Sequence, residues 1–197
     1  MLFSSKSDTH LVTLLKKDHE EVDRLFKELE LETAAAKKAD LATRICQALT
    51  VHATVEEEVF YPVAMRALED DKSKLIREAA VEHATLKGLI AALAGASPRD
   101  PMFDAQLTVL KEYVKHHVRE EEHEIFPAVE KTDVDLEALG LQLQARKQLL
   151  EKRISERARP GDGDGTVTVI EFEEVDEPVT ASTPARTRRP STSSRAA

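Results

Sequence analysis

Apolar residues recur at intervals of three and four through most of the chain, the spacing of one buried helical face, in four long segments. The first covers residues 9–31, with Leu11, Leu15, Val22, Leu25, Phe26 and Leu29 aligned. The second, 38–68, runs through Ile45, Leu49, Val59, Phe60 and Val63, and the third, 72–94, through Ile76, Ala79, Leu86, Ile90 and Leu93. The fourth, 101–130, carries Phe103, Leu107, Leu110, Val114, Ile125 and Ala128. The links TAAAKKAD, LEDDKSK and AGASPRDP are short, which favours antiparallel neighbours. The pattern predicts an all-α protein, an up-down antiparallel four-helix bundle over residues 9–131. Pro62 and Pro127 fall near the ends of the second and fourth segments, where each should kink its helix or let only a turn or two continue.

A fifth amphipathic segment, 134–158, carries Leu136, Leu139, Leu143, Leu150 and Ile154 and should dock outside the bundle or pair with another chain. Beyond it the composition changes. Residues 160–178 hold seven acids and no bases, residues 181–197 four arginines and no acids, and four of the eight prolines lie between 160 and 190. Residues 159–197 therefore read as a disordered tail, with VTVIEF a short apolar island inside it and GDGDG a linker.

Six polar residues interrupt the apolar stripes. HATVEEEVFYP (52–62) places His52 and Glu56 four apart on the inner face, and HVREEEHEIFP (117–127) does the same with His117 and Glu121, each histidine ten residues before a proline. Upstream, DHEEVDRLFKEL (18–29) matches EHATLKGLIAAL (82–93), with His19 and His83 at equivalent places. The halves repeat: His19 precedes His52 by 33 residues and His83 precedes His117 by 34. Positions i and i+4 share a helix face about 6 Å apart, so all six side chains point into the core. Two unpaired buried carboxylates would cost several kcal/mol each, and no lysine or arginine on the stripes offers itself as partner. Four imidazoles and two carboxylates suit two divalent cations instead. Mixed nitrogen and oxygen ligation favours iron, ahead of manganese, over structural zinc.

These motifs resemble the hemerythrin-like HHE cation-binding family over residues 10–131. The resemblance implies a four-helix bundle around a non-haem di-iron centre. One iron would take His19 and His52, the other His83 and His117, with Glu56 and Glu121 shared. Oxygen-carrying hemerythrins place a second histidine four residues after the first on the third helix. Here that position is Lys87, which weakens a reversible carrier and leaves coordination open for peroxide, nitric oxide, oxygen or iron sensing. A catalase-like di-iron enzyme, or a metal-stabilised module acting on a protein partner through its C-terminal helix or tail, are the alternatives. Family members that repair iron centres carry an additional N-terminal domain, for which the residues before 9 leave no room.

The other candidates read as bystanders. Tyr113, one turn before His117, is weighed as a second donor near the metals but read as a core tyrosine. Glu57 and Glu122 should be rim residues, and His116 and His123 solvated. The lone Cys46 should pack rather than react, and cannot form an internal disulfide. A net charge of −9 and the absence of tryptophan argue against nucleic acid, and no apolar run is long enough for a membrane span or a signal peptide, so cytosol is expected.

Overall fold

The computed structural model describes residues 8–157 and 165–169. Its elements are α1 (Leu11–Leu31), α2 (Ala35–Val55), α3 (Tyr61–Ala67), α4 (Asp70–Leu93), α5 (Phe103–Glu120), α6 (Phe126–Val129) and α7 (Leu136–Arg157). Five-residue π-turns, Glu56–Phe60 and Glu121–Ile125, join α2 to α3 and α5 to α6, so four rods build the bundle. α1 packs on α2 and α4 on α5, each pair being one of the repeats. No helix among the described residues is long and apolar enough to cross a membrane.

The prolines explain the π-turns. A proline in an α-helix lacks an N–H and its ring strikes the carbonyl four residues back. Widening the turn before it avoids that clash. Tyr61, just ahead of Pro62, donates its N–H to the Glu56 carbonyl five residues back, and Phe126, ahead of Pro127, does the same to Glu121. Each helix thus continues past its proline instead of stopping. Such turns recur at functional sites, and here each begins on an interior glutamate.

Two apolar clusters fill the bundle, one around Phe26, Ile45, Ile90 and Phe103, the other around Leu15, Phe60, Ile76 and Phe126. Cys46 belongs to the first, and burial pushes its thiol up to about 12, so it packs without reacting. Of the two fates expected for the fifth segment, docking holds: α7 lies against α1 and α2 with Leu136, Leu139, Leu143 and Leu150 buried. Gly140 permits this. A Cβ there would stand 1.9 Å from the Thr9 carbonyl oxygen and 2.9 Å from the Leu11 nitrogen, both backbone atoms. Gly140→Ala is expected to lift α7 from the start of α1 and cost about 1–3 kcal/mol in urea unfolding.

Within the segment expected to be disordered, residues 165–169 are placed on the bundle. Val167 is buried, its N–H and C=O pair with the backbone of Ala96 and Gly95, and the Thr168 N–H donates to Thr43 Oγ1. Gly95, at φ +72°, shapes the turn that receives it. An extended apolar strip can satisfy its own backbone at such a turn, which composition alone does not reveal. The rest of the tail, with GDGDG up to its last glycine, lies outside the described residues.

Candidate metal centre

All six predicted residues meet at the middle of the bundle: His19, His52, His83 and His117 are at most 6% exposed, and Glu56 and Glu121 are fully buried. The histidines pair by repeat, with His19 Nε2 at 3.2 Å from His52 Nε2 and His83 Nε2 at 3.0 Å from His117 Nε2. Glu56 Oε2 lies between the pairs, 3.2 Å from His52 and 3.4 Å from His83. Glu121 Oε2 does likewise, 3.3 Å from His19 and 3.5 Å from His117.

The outer ring nitrogens are held by carboxylates. Glu122 Oε1 is 2.9 Å from His19 Nδ1, Glu57 Oε1 is 3.1 Å from His83 Nδ1, and Glu82 Oε2 is 2.8 Å from His117 Nδ1. Asp18 faces His52 Nδ1 at a longer 3.7 Å. A carboxylate on Nδ1 fixes the proton there and turns the Nε2 lone pair inward. Bare lone pairs 3 Å apart repel unless a cation stands between them. A metal with bonds of about 2.1 Å at about 90° holds two nitrogens about 3 Å apart, which matches both pairs. Asp18 Oδ2, His52 Nδ1, Glu56 Oε1 and Glu121 Oε2, all buried here, lack hydrogen-bond partners. The donor set fits bound metal cations.

Without metal, protons take the cation's place. Burial alone would lower the His19 imidazolium, but the carboxylates of Glu121 and Glu122 beside it carry it up to about 10. Burial, together with the charge of Glu121, raises Glu56 well above the carboxylate range. Glu121 goes the other way: burial opposes it, yet His117 and His19 hold it well below that range. Burial takes His52 down to about 4.

The sequence profile of the Hemerythrin HHE cation binding domain matches residues 10–129. The chain belongs to this HHE cation-binding family. A solved structure of an HHE cation-binding domain protein from Mycobacterium kansasii superposes with a TM-score of 0.66 at 24% identity, over 78% of this chain and 94% of that one. A curated relative, the DNA nickase of Nostoc sp. (strain PCC 7120 / SAG 25.82 / UTEX 2576), is 30% identical over 159 residues, 79% of this chain and 44% of the relative. The chain therefore spans less than half the length of that relative.

Within the HHE bundle Tyr61 was missed by the sequence pattern. Tyr61, 4% exposed, directs its hydroxyl at the centre, 3.0 Å from Glu121 Oε1, 3.3 Å from His83 Nε2 and 3.4 Å from Glu56 Oε2. At 100° per residue, a position five beyond Glu56 sits about 140° round an α-helix. The π-turn brings it back over Glu56. In the second repeat Phe126 occupies the equivalent place, stacked on His19 at 5.9 Å as Tyr61 stacks on His83 at 5.3 Å. Burial, then the charge of Glu121, holds the Tyr61 phenol neutral. Lys87 turns outward to Glu57, at 2.6 Å.

The bystanders divide. Glu57 and Glu122 are more than rim residues, because each orients a histidine. Asp18 and Glu82 face His52 and His117 in the same way, and the acid before each first-helix histidine was the signal for them. Tyr113 lines a cavity of about 10 Å³ on the histidine side of the centre, with Val22, Leu49, Leu86 and Val118. Glu82 and Asp18 also line that cavity, while Glu56, Glu121 and Tyr61 do not. His123 is exposed, its Nδ1 donating to the Arg119 carbonyl.

Proposed function

We propose that the chain holds a dinuclear non-haem iron centre which binds oxygen, nitric oxide or peroxide. The observation carrying this reading is that each interior glutamate sets one oxygen between the two histidine pairs. His19 and His52 would hold one ion, His83 and His117 the other, and Glu56 and Glu121 both. Nitrogen and oxygen donors without thiolate favour iron. Bound iron would supply redox chemistry toward a small ligand. The protein's own part is exclusion and orientation: the cavity at the histidines, walled by Val22, Leu49, Leu86, Val114 and Val118 beside Asp18 and Glu82, has room for about one water-sized molecule and turns away larger ones.

A second reading, peroxide decomposition, is favoured by Tyr61. Its neutral hydroxyl donates to Glu121 and can pass a proton to that carboxylate or take one from it. Two peroxides then give one oxygen and two waters. The nickase activity that names the Nostoc relative is no part of this proposal, since a chain of net charge −9, with carboxylates around its site, repels a phosphate backbone.

The test is anaerobic loading with ferrous iron, then exposure to air and to peroxide. Oxo-to-iron charge-transfer bands are expected on oxidation. Sustained oxygen release from peroxide marks the enzyme, and bands without turnover mark a binder or sensor. Failure to bind iron contradicts both. Loading should also release protons: His19 and Glu56 both hold one at pH 7 in the metal-free protein, so about two leave when cations replace them. Calorimetry in buffers of different ionisation enthalpy reads that number.

A further inference from the structure

The four carboxylates behind the histidines are themselves backed by bases, and one corner differs from the other three. Glu122 faces Lys16 at 3.9 Å, Glu57 faces Lys87 at 2.6 Å, and Asp18 faces Lys147 at 2.5 Å. A lysine ammonium neutralises a carboxylate but has no lone pair to offer a metal. At the fourth corner Glu82 Oε1 faces His116 Nε2 instead, at 3.4 Å, and Glu120 Oε1 reaches the same nitrogen at 3.3 Å. Two carboxylates thus converge on one imidazole, and among the described residues neither pairs with a lysine or arginine.

We propose that Glu82, His116 and Glu120 form a third, solvent-facing site for a divalent cation, outside the buried centre. Their donor atoms lie within 4.8 Å of one another, close enough to be drawn onto one ion by small side-chain rotations. One nitrogen and two oxygens suit a borderline ion such as zinc or ferrous iron, with water completing the shell. The side chain of His116 is 59% exposed, so the site opens to solvent.

The repeat supplies an internal control. Positions equivalent to His116 and Glu120 in the first half are Val51 and Val55, both buried in the cluster that α7 helps to close. An uncovered face calls for polar residues, but it does not require donors aimed at one point. Because Glu82 keeps its other oxygen on His117 Nδ1, an ion at the surface would sit one carboxylate away from the core.

The experiment uses the full chain with its core loaded with iron and oxidised, titrated with zinc in a calorimeter. Wild type is expected to take up one further zinc, and the His116→Ala/Glu120→Gln double variant to lose it or bind at least tenfold more weakly. Thermal melting of that variant should match wild type, since both side chains lie at the surface. No further zinc in wild type, or equal uptake by the variant, overturns the site. The same titration of a Glu56→Gln/Glu121→Gln protein separates this site from the core: the surface equivalent persists there even if the core reading fails.

Discussion

Glu121→Ala and Glu56→Ala are each expected to bind fewer ions than the two proposed for the wild type, and to lose the charge-transfer bands of the oxidised centre. Each glutamate touches one histidine of either pair, so its removal takes a donor from both ions at once. The two losses differ in the metal-free protein. Glu56 is held protonated by burial and by its neighbour, so Glu56→Gln replaces a neutral acid with a neutral amide and should leave the metal-free melting point near wild type. Glu121 is the anion that partners the charged His19. Glu121→Gln leaves that charge to Glu122 alone and should lower metal-free stability by about 1.5–3 kcal/mol, the range for a hydrogen bond to a charged group. Thermal denaturation in chelator distinguishes the two.

The same groups set a pH dependence. His19 rises from 6.5 unfolded to about 10 folded, so its contribution is full below pH 6.5 and is lost as the pH climbs to 10. Glu56, also raised, loses stability in the same direction. His52, lowered to about 4, adds stability as the pH rises from 4 to 6.5. From pH 4.5 to 6.5 the Glu56 loss offsets the His52 gain, so the metal-free protein should be about level there and lose stability toward alkaline pH, while the loaded protein, its protons displaced, should lack that alkaline decline.

Tyr61→Phe carries the second large effect. The phenol stands over the His83–His117 pair, and Phe126 offers no hydroxyl to the other pair, so the two histidine pairs are inequivalent. A ferric ion lowers the acidity barrier of an adjacent phenol. Oxidised wild type is expected to show tyrosinate-to-iron absorption that Tyr61→Phe loses while keeping its iron. Where the protein turns over peroxide, the variant should be about 10- to 100-fold slower, the usual effect of removing a group that orients metal ligands. Tyr113→Phe, at the cavity wall, should keep that absorption. A band that survives Tyr61→Phe places the tyrosine outside the centre.

The four rods and the six donors were legible because both are periodic: apolar stripes mark the helices, and the duplicated His-x-x-x-Glu separates a site from coincidence. Pro62 and Pro127 were legible as interruptions but not as π-turns. Tyr61 was hidden for that reason, since α-helical spacing points it away from Glu56. The roles of Glu57 and Glu122 were hidden because their partners lie on neighbouring helices, and a long acid can bend back across 100° of helix. Lys147 and Arg146 reach Asp18 and Glu58 from α7, a contact that depends on where α7 docks.

The central claim is that two ions share Glu56 and Glu121. Iron analysis with electron paramagnetic resonance of the air-oxidised protein tests it most directly. A bridged ferric pair couples its spins, so the account predicts about two irons per chain with almost no ferric signal, and a signal that appears in Glu121→Ala. Two irons giving the full low-field signal of isolated ferric ions, unchanged in that variant, would contradict it.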